Sequence, residues 1–118
     1  MLSGDALRSI KFKGEIHMTV KEFLESTFNS SNKYQVRAKA ICADGYSVSI
    51  QGGTHGHYCS PRTHTNVYEA VELGYPSAID VELLEYAEEP NDPTGSVYGY
   101  VPIDVIEAVI AKHGGIVG

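Results

Sequence analysis

The stretch that decides the fold is Tyr34-Gln-Val-Arg-Ala-Lys-Ala-Ile-Cys-Ala-Asp-Gly-Tyr-Ser-Val-Ser-Ile-Gln51. Tyr34, Val36, Ala38, Ala40 and Cys42 alternate with Gln35, Arg37, Lys39 and Ile41; beyond Asp44-Gly45, Tyr46, Val48 and Ile50 alternate with Ser47, Ser49 and Gln51. Period-two alternation on both sides of an Asp-Gly turn signals a β-hairpin. A two-residue loop would pair Ala43 with Tyr46 and set Arg37, Lys39 and Ile41 beside the apolar side chains of the second strand. A three-residue loop, Ala43-Asp44-Gly45, pairs Cys42 with Tyr46, Ala40 with Val48 and Ala38 with Ile50. The apolar faces then match, and Gly45 takes the left-handed position of a G1 bulge. The second register is the expected one. It gathers Arg37, Lys39, Ser49 and Gln51 on the opposite, polar face.

Outward from the hairpin, helices and strands alternate. Before it, Thr19-Val-Lys-Glu22 is a capping box, and Val20, Phe23, Leu24, Thr27 and Phe28 recur at helical spacing, predicting a helix from about 20 to 28. Asn29-Ser-Ser-Asn32 ends it. After the hairpin, residues 52–66 form a polar, glycine-rich connection with room for a short strand at 56–60. Val67, Glu69, Val71 and Leu73 predict a strand closed by Gly74-Tyr-Pro76. Ser77 can cap a helix over about 78–88 carrying Ile79, Leu83, Leu84 and Ala87. A loop over 88–95 leads to a strand, Ser96–Val101. Pro102 opens a last helix with Ile103, Ile106, Val109 and Ile110 on one side, and Gly114-Gly115 closes it. The fold class is α+β: a single domain over 18–118, an antiparallel sheet with about three helices packed on it. Residues 1–17 are an N-terminal extension or an extra strand over 10–17 (Ile10, Phe12 and Ile16 on one side), and Met18 is an alternative start.

A chain of 118 residues with 42% hydrophobic and 20% charged residues has the balance of one globular domain. No apolar run approaches the roughly 20 residues of a membrane span, and residues 1–17 lack the apolar core of a signal peptide. Cys42 and Cys59 fit free thiols in a reducing compartment, so a cytoplasmic location is expected. The net charge is −6, unevenly spread. Seven of the nine basic residues lie in 1–39, and only Arg62 and Lys112 follow, among eleven carboxylates. Such a surface does not suit duplex nucleic acid.

The chemistry-bearing residues cluster after the hairpin. His55, His57 and Cys59 alternate, so an extended segment would point three metal-type ligands one way. The alternatives are a polar loop with surface histidines, or a thiolate nucleophile with a histidine base, for which no third orienting group is visible. Gly52-Gly53 and Gly56 would let a backbone approach phosphate, but no P-loop signature follows them. Arg62, behind Pro61, offers a planar fork for phosphate; with Arg37 and Lys39 it would build a compact anion site, the alternative being an ordinary ion pair. Lys112 most simply complements the dipole of the last helix. Tyr98-Gly99-Tyr100 is expected to place its two rings on opposite faces, one in the core and one able to stack a base.

Ala43-Asp-Gly-Tyr-Ser-Val-Ser-Ile-Gln51, Tyr58-Cys-Ser-Pro-Arg62, Val71-Glu-Leu-Gly-Tyr-Pro-Ser77 and Val97-Tyr-Gly-Tyr-Val-Pro102 with His113-Gly-Gly-Ile116 together resemble small anti-defence proteins of bacteriophages and prophages, in particular the nucleotide-sponge family of Thoeris anti-defence protein 1. The resemblance covers 18–118. It implies a symmetric homo-oligomer, such as a hexamer, that sequesters a cyclic ADP-ribose isomer or cyclic oligonucleotides without cleaving them. It carries over no ligand residue by position. From residue chemistry, Arg62, Arg37 and Lys39 are the phosphate candidates. Tyr98 or Tyr58 would stack the base, and Gln51, Ser60 and Asn91 would orient it. No cofactor, metal, membrane or duplex partner is expected. Two alternatives stand beside this reading. One is a protein–protein inhibitor of anti-CRISPR type whose acidic face, Glu82, Glu85, Glu88, Glu89 and Asp92, mimics nucleic acid. The other is a small hydrolase using His55, His57 and Cys59 as metal ligands or nucleophile and base.

Overall fold

The computed structural model describes residues 17–118. The expected extension or strand before Met18 lies outside the described residues, apart from His17. Helix α1 is Val20–Thr27, and the capping box is present: the Thr19 side chain accepts from the Glu22 amide and Glu22 accepts from the Thr19 amide. Four strands follow, β1 (Ala40–Ile41), β2 (Ser47–Gln51), β3 (Ala70–Gly74) and β4 (Val97–Pro102). They form one antiparallel sheet in the order β1-β2-β3-β4. Helix α2 is Ile103–Lys112. The architecture is the expected single-domain α+β fold, its third helix being a 3-10 helix over Val81–Tyr86.

The hairpin has the expected three-residue loop. Ala40 pairs with Val48, the Cys42 amide donates to the Tyr46 carbonyl at 2.7 Å, and Gly45 has φ +94°. The first strand is shorter than its alternation predicts. Beyond Ala40 the ladder is taken over by a side chain: Gln51 accepts the Arg37 amide at 2.9 Å and donates to the Arg37 carbonyl at 2.8 Å. The register continues, but an amide group intervenes, and Val36 and Ala38 face solvent.

Val48, Ile50, Val71, Leu73, Tyr98 and Val101 line one face of the sheet. They form a single buried cluster with Val20, Phe23 and Leu24 of α1, Leu83 of the 3-10 helix, and Ile106, Val109 and Ile110 of α2. Each such side chain contributes about 1.5–3 kcal/mol of hydrophobic burial. Glu107 of α2 ties the helices together by accepting from the Val20 and Lys21 amides at 2.9 and 3.0 Å, two of the orphan donors of the α1 N-terminus.

Two expectations are corrected. The helix over 78–88 contracts to the six residues 81–86 because Ser77 does not cap it. The Ser77 hydroxyl accepts the Ser47 amide at 2.9 Å, and the Ser77 amide donates to the Ser47 carbonyl at 2.8 Å, so the segment is held along β2. Asp80 is the residue before the 3-10 helix, and its side chain makes no cap bond. The strand at 56–60 reduces to one bridge, Ser60 with Ala70, and β3 starts at Ala70 rather than Val67, which is exposed.

The outer edge of β1 is covered by Ile116 and its neighbours. Ile116 bridges both Cys42 and Met18, and Ile41 exchanges bonds with Val117 and Gly118. The reversal that brings Ile116 there is made at Gly114 and Gly115, with φ +94° and +87°, the Gly115 amide donating back to the Ile110 carbonyl at 3.0 Å. Among the described residues, no helix is long and apolar enough to cross a membrane.

Candidate functional site at a β-bulge

The site candidates gather where β3 and β4 fall out of step. Val71 pairs with Val101, but Leu73 pairs with Tyr98. Two residues, Gly99 and Tyr100, therefore stand opposite Glu72 alone, which is a β-bulge. Strand alternation would put Tyr98 and Tyr100 on one face, so the expectation of opposite faces is met only through the bulge and not by alternation. The extra residue turns the second ring over: Tyr98 is 1% exposed, whereas Tyr100 is 48% exposed. Tyr100 holds φ +51°, a left-handed conformation that costs a non-glycine residue about 1 kcal/mol or more. The expected division of one core ring and one free ring is present, and Tyr98 is the core ring. Its hydroxyl donates to the Pro93 carbonyl at 2.6 Å.

Tyr58 lies over the bulge. The Tyr100 amide donates to its carbonyl at 2.9 Å, and the rings lie 5.9 Å apart at 45°. Gly99 makes this approach possible, since a Cβ there would stand 3.3 Å from the Tyr58 Cβ. Tyr58 is 45% exposed, so two half-open rings share the face of the sheet opposite the core cluster. Glu72 on that face meets His57 Nδ1 at 3.0 Å.

The loop carrying these residues is anchored from beneath. The buried Cys59 thiol accepts the Gly53 amide and lies within bonding distance of the Gly53 and Pro61 carbonyls. The Tyr68 hydroxyl donates to the Thr63 carbonyl at 2.7 Å, and its ring fills the space a Cβ on Gly52 would need. The Ser60–Pro61 peptide is cis. Arg62 follows it, exposed, with no hydrogen bond or ion pair among the described residues.

The other expected ligand residues lie apart. Arg37 is 5% exposed and does not join the polar face: its guanidinium donates to Thr27 Oγ1 at 2.7 Å and to the Leu24 carbonyl at 3.3 Å, closing the end of α1. Burial holds its pKa below the ordinary value. Gln51 is occupied by the Arg37 backbone and Ser49. Lys39 donates to the Tyr75 carbonyl at 2.9 Å. Ser60 bridges to β3 through its backbone, and Asn91 is exposed on the loop before Pro93. The three metal-type ligands also separate. His55 stacks on Tyr34 at 4.9 Å, His57 binds Glu72, and Cys59 faces the backbone. Among the described residues no group of three or more His, Cys, Asp or Glu side chains could hold a metal ion. Of the acidic face, Glu85, Glu88, Glu89 and Asp92 are exposed, while Glu82 pairs with Lys112.

A second polar cluster has no counterpart in the sequence reading. His113 stacks on Tyr46 at 3.9 Å with the rings 1° from parallel, its Nδ1 2.6 Å from Asp44 and its Nε2 3.3 Å from Asp80. Lys112, expected to serve the helix dipole, reaches Asp80 at 2.6 Å and Glu82 at 2.9 Å. Burial works to raise the Asp80 carboxyl, but bonding from Lys112, with Tyr46 and His113 beside it, outweighs this and holds it below its ordinary value. Burial and Asp80 push the Tyr46 phenol up; its hydroxyl is buried without a partner of hydrogen-bonding geometry. Burial also raises the Cys42 thiol to about 11. The cluster pins the hairpin turn to the end of α2. Both nitrogens of His113 face carboxylates.

Compared with family models, with curated proteins and with solved structures, the chain matches none.

Proposed function

We propose that the protein is a non-enzymatic binder of a small phosphorylated nucleotide, acting as a homo-oligomer in the bacterial cytoplasm to sequester a cyclic ADP-ribose isomer or cyclic oligonucleotide on behalf of a phage. The observation that carries the reading is Tyr100. A tyrosine held at φ +51° by a bulge, with its ring turned out beside a second half-exposed ring, is strain maintained for a surface purpose. Such rings stack bases with little regard to sequence. Arg62, four residues after Tyr58 and with no partner among the described residues, supplies the fork for phosphate. Arg37, Gln51 and Tyr98 serve the fold instead. The candidate contacts therefore reduce to Tyr58, Tyr100 and Arg62, with Lys39, Ser60 and Asn91 outside that group.

Calorimetry of wild-type and Arg62→Ala protein against cyclic ADP-ribose isomers and cyclic dinucleotides tests this. A charge-assisted phosphate contact is worth about 1.5–3 kcal/mol, so the variant should bind about ten- to a hundred-fold more weakly. Its melting temperature and oligomeric state should not change. Ligand released by heat should be chemically intact. Cleaved ligand, or wild-type affinity in Arg62→Ala, refutes the reading.

A further inference from the structure

Arg62 is free at its tip and held on both sides. It is exposed and makes no hydrogen bond or ion pair among the described residues, yet the chain around it is tied down. Before it, the Ser60 amide donates to the Ala70 carbonyl at 2.9 Å and the Ser60 carbonyl accepts the Glu69 amide at 2.7 Å. The Pro61 carbonyl lies 3.4 Å from the buried Cys59 sulfur. After it, one phenol holds two backbone groups: the Tyr68 hydroxyl donates to the Thr63 carbonyl at 2.7 Å and accepts the Thr65 amide at 3.3 Å. Between those two residues, His64 Nε2 lies 2.8 Å from the Asn29 carbonyl oxygen. Tyr68 is itself packed in place. It is 6% exposed, and a Cβ on Gly52 would stand 2.6 Å from its Cζ. Phenylalanine would fill the same space, so what the hydroxyl adds is the fixed geometry of the loop.

We propose that Tyr68 is a positioning residue for Arg62: by fixing the backbone over 63–65, its hydroxyl presents the guanidinium to the ligand's phosphate. This rests on the nucleotide-binding reading above. An arginine on a loose loop has its loop ordered at the moment of binding, and the entropy lost there is subtracted from affinity. A loop tied in the folded protein has less freedom to lose. Tyr68 touches no ligand in this arrangement and acts only through Arg62.

The experiment is a double-mutant cycle on the full chain: wild type, Tyr68→Phe, Arg62→Ala and the double variant. Calorimetry uses each cyclic ADP-ribose isomer or cyclic dinucleotide that wild type binds. Tyr68→Phe should weaken binding about fivefold or more, the scale of ordering one residue's backbone. In the Arg62→Ala background the same change should alter affinity by less than about twofold, because the group being positioned is gone. A merely structural role would weaken both backgrounds alike. Should Tyr68→Phe not fold, Gly52→Ala takes its place in the cycle, since its Cβ displaces the Tyr68 ring and leaves the hydroxyl intact; the same pattern is expected. Wild-type affinity in the Tyr68 variant, or equal losses in both backgrounds, overturns the inference and leaves the binding reading standing. Wild-type affinity in Arg62→Ala, or no binding of any probe by wild type, overturns both.

Discussion

Replacing Gln51 with leucine isolates the joint where a side chain stands in for a strand. Gln51 makes three bonds: from the Arg37 amide at 2.9 Å, to the Arg37 carbonyl at 2.8 Å, and to Ser49 Oγ at 2.9 Å. Both Gln51 and Arg37 are 5% exposed, so water does not readily replace the lost partners. Leucine has similar bulk, which keeps the cavity contribution small. The cost is then that of two buried backbone groups left unpaired, about 1–3 kcal/mol each. We expect a loss of about 2–4 kcal/mol, a large share of the 5–15 kcal/mol typical of a domain. At about 4 °C per kcal/mol for a chain of this size, the melting temperature should drop by roughly 8–16 °C. Urea denaturation followed by circular dichroism measures it. Ser49→Ala, which removes only the third bond, should cost about 1 kcal/mol or less. A Gln51→Leu protein within about 0.5 kcal/mol of wild type would show that solvent satisfies Arg37 and that the substituted ladder contributes little.

Three further outcomes are expected. Gly45→Val should destabilise the fold by about 1–3 kcal/mol, because φ +94° is hostile to a β-branched residue; open space around the glycine excludes a clash as the cause, and an unchanged unfolding midpoint contradicts this. The Asp80 carboxyl is held below its ordinary value in the folded state, so its contribution is fully present above about pH 4 and is lost as pH falls through the lower folded value; acid unfolding curves of Asp80→Asn should therefore slope less than wild type below about pH 4, and parallel curves would refute this. Chelation with EDTA should leave the melting temperature unchanged, because His55, His57 and Cys59 attend to three different partners; a fall accompanied by release of about one equivalent of zinc would overturn that.

The parts of the molecule legible from sequence are those settled by neighbours along the chain. The capping box, the hairpin register, the glycine at its left-handed position and the diglycine stop of α2 each depend on a few consecutive residues, and each is present. What alternation could not reveal was long-range competition for backbone groups. Gln51 displaces the strand at Arg37, and Ser47 takes the Ser77 hydroxyl that would have capped a helix. The site follows the same division. Tyr58, Arg62 and the two-tyrosine motif stood out by type and spacing. The bulge that turns Tyr100 outward depends on the register of β3, and the His57–Glu72 pair joins residues on different segments. Arg37 was misplaced because alternation assigns a face but cannot show that a helix end will capture a guanidinium.

The bridge from Met18 to Ile116 sets an order of assembly. Its two halves lie about a hundred residues apart, and closing so long a loop costs on the order of 4 kcal/mol in chain entropy before any contact repays it. The β1–β2 hairpin closes over three residues, and the successive antiparallel pairs of the sheet extend from it. Ile116 can dock only where β1 already offers an edge and Met18 already flanks it. Its interactions are therefore expected to form on the downhill side of the folding barrier, so that an Ile116→Ala protein should unfold faster and fold at nearly the wild-type rate in stopped-flow measurements. The bridging segment at Ile116 is thus expected to act as a latch on kinetic lifetime, and the hairpin to govern how fast the native state is reached.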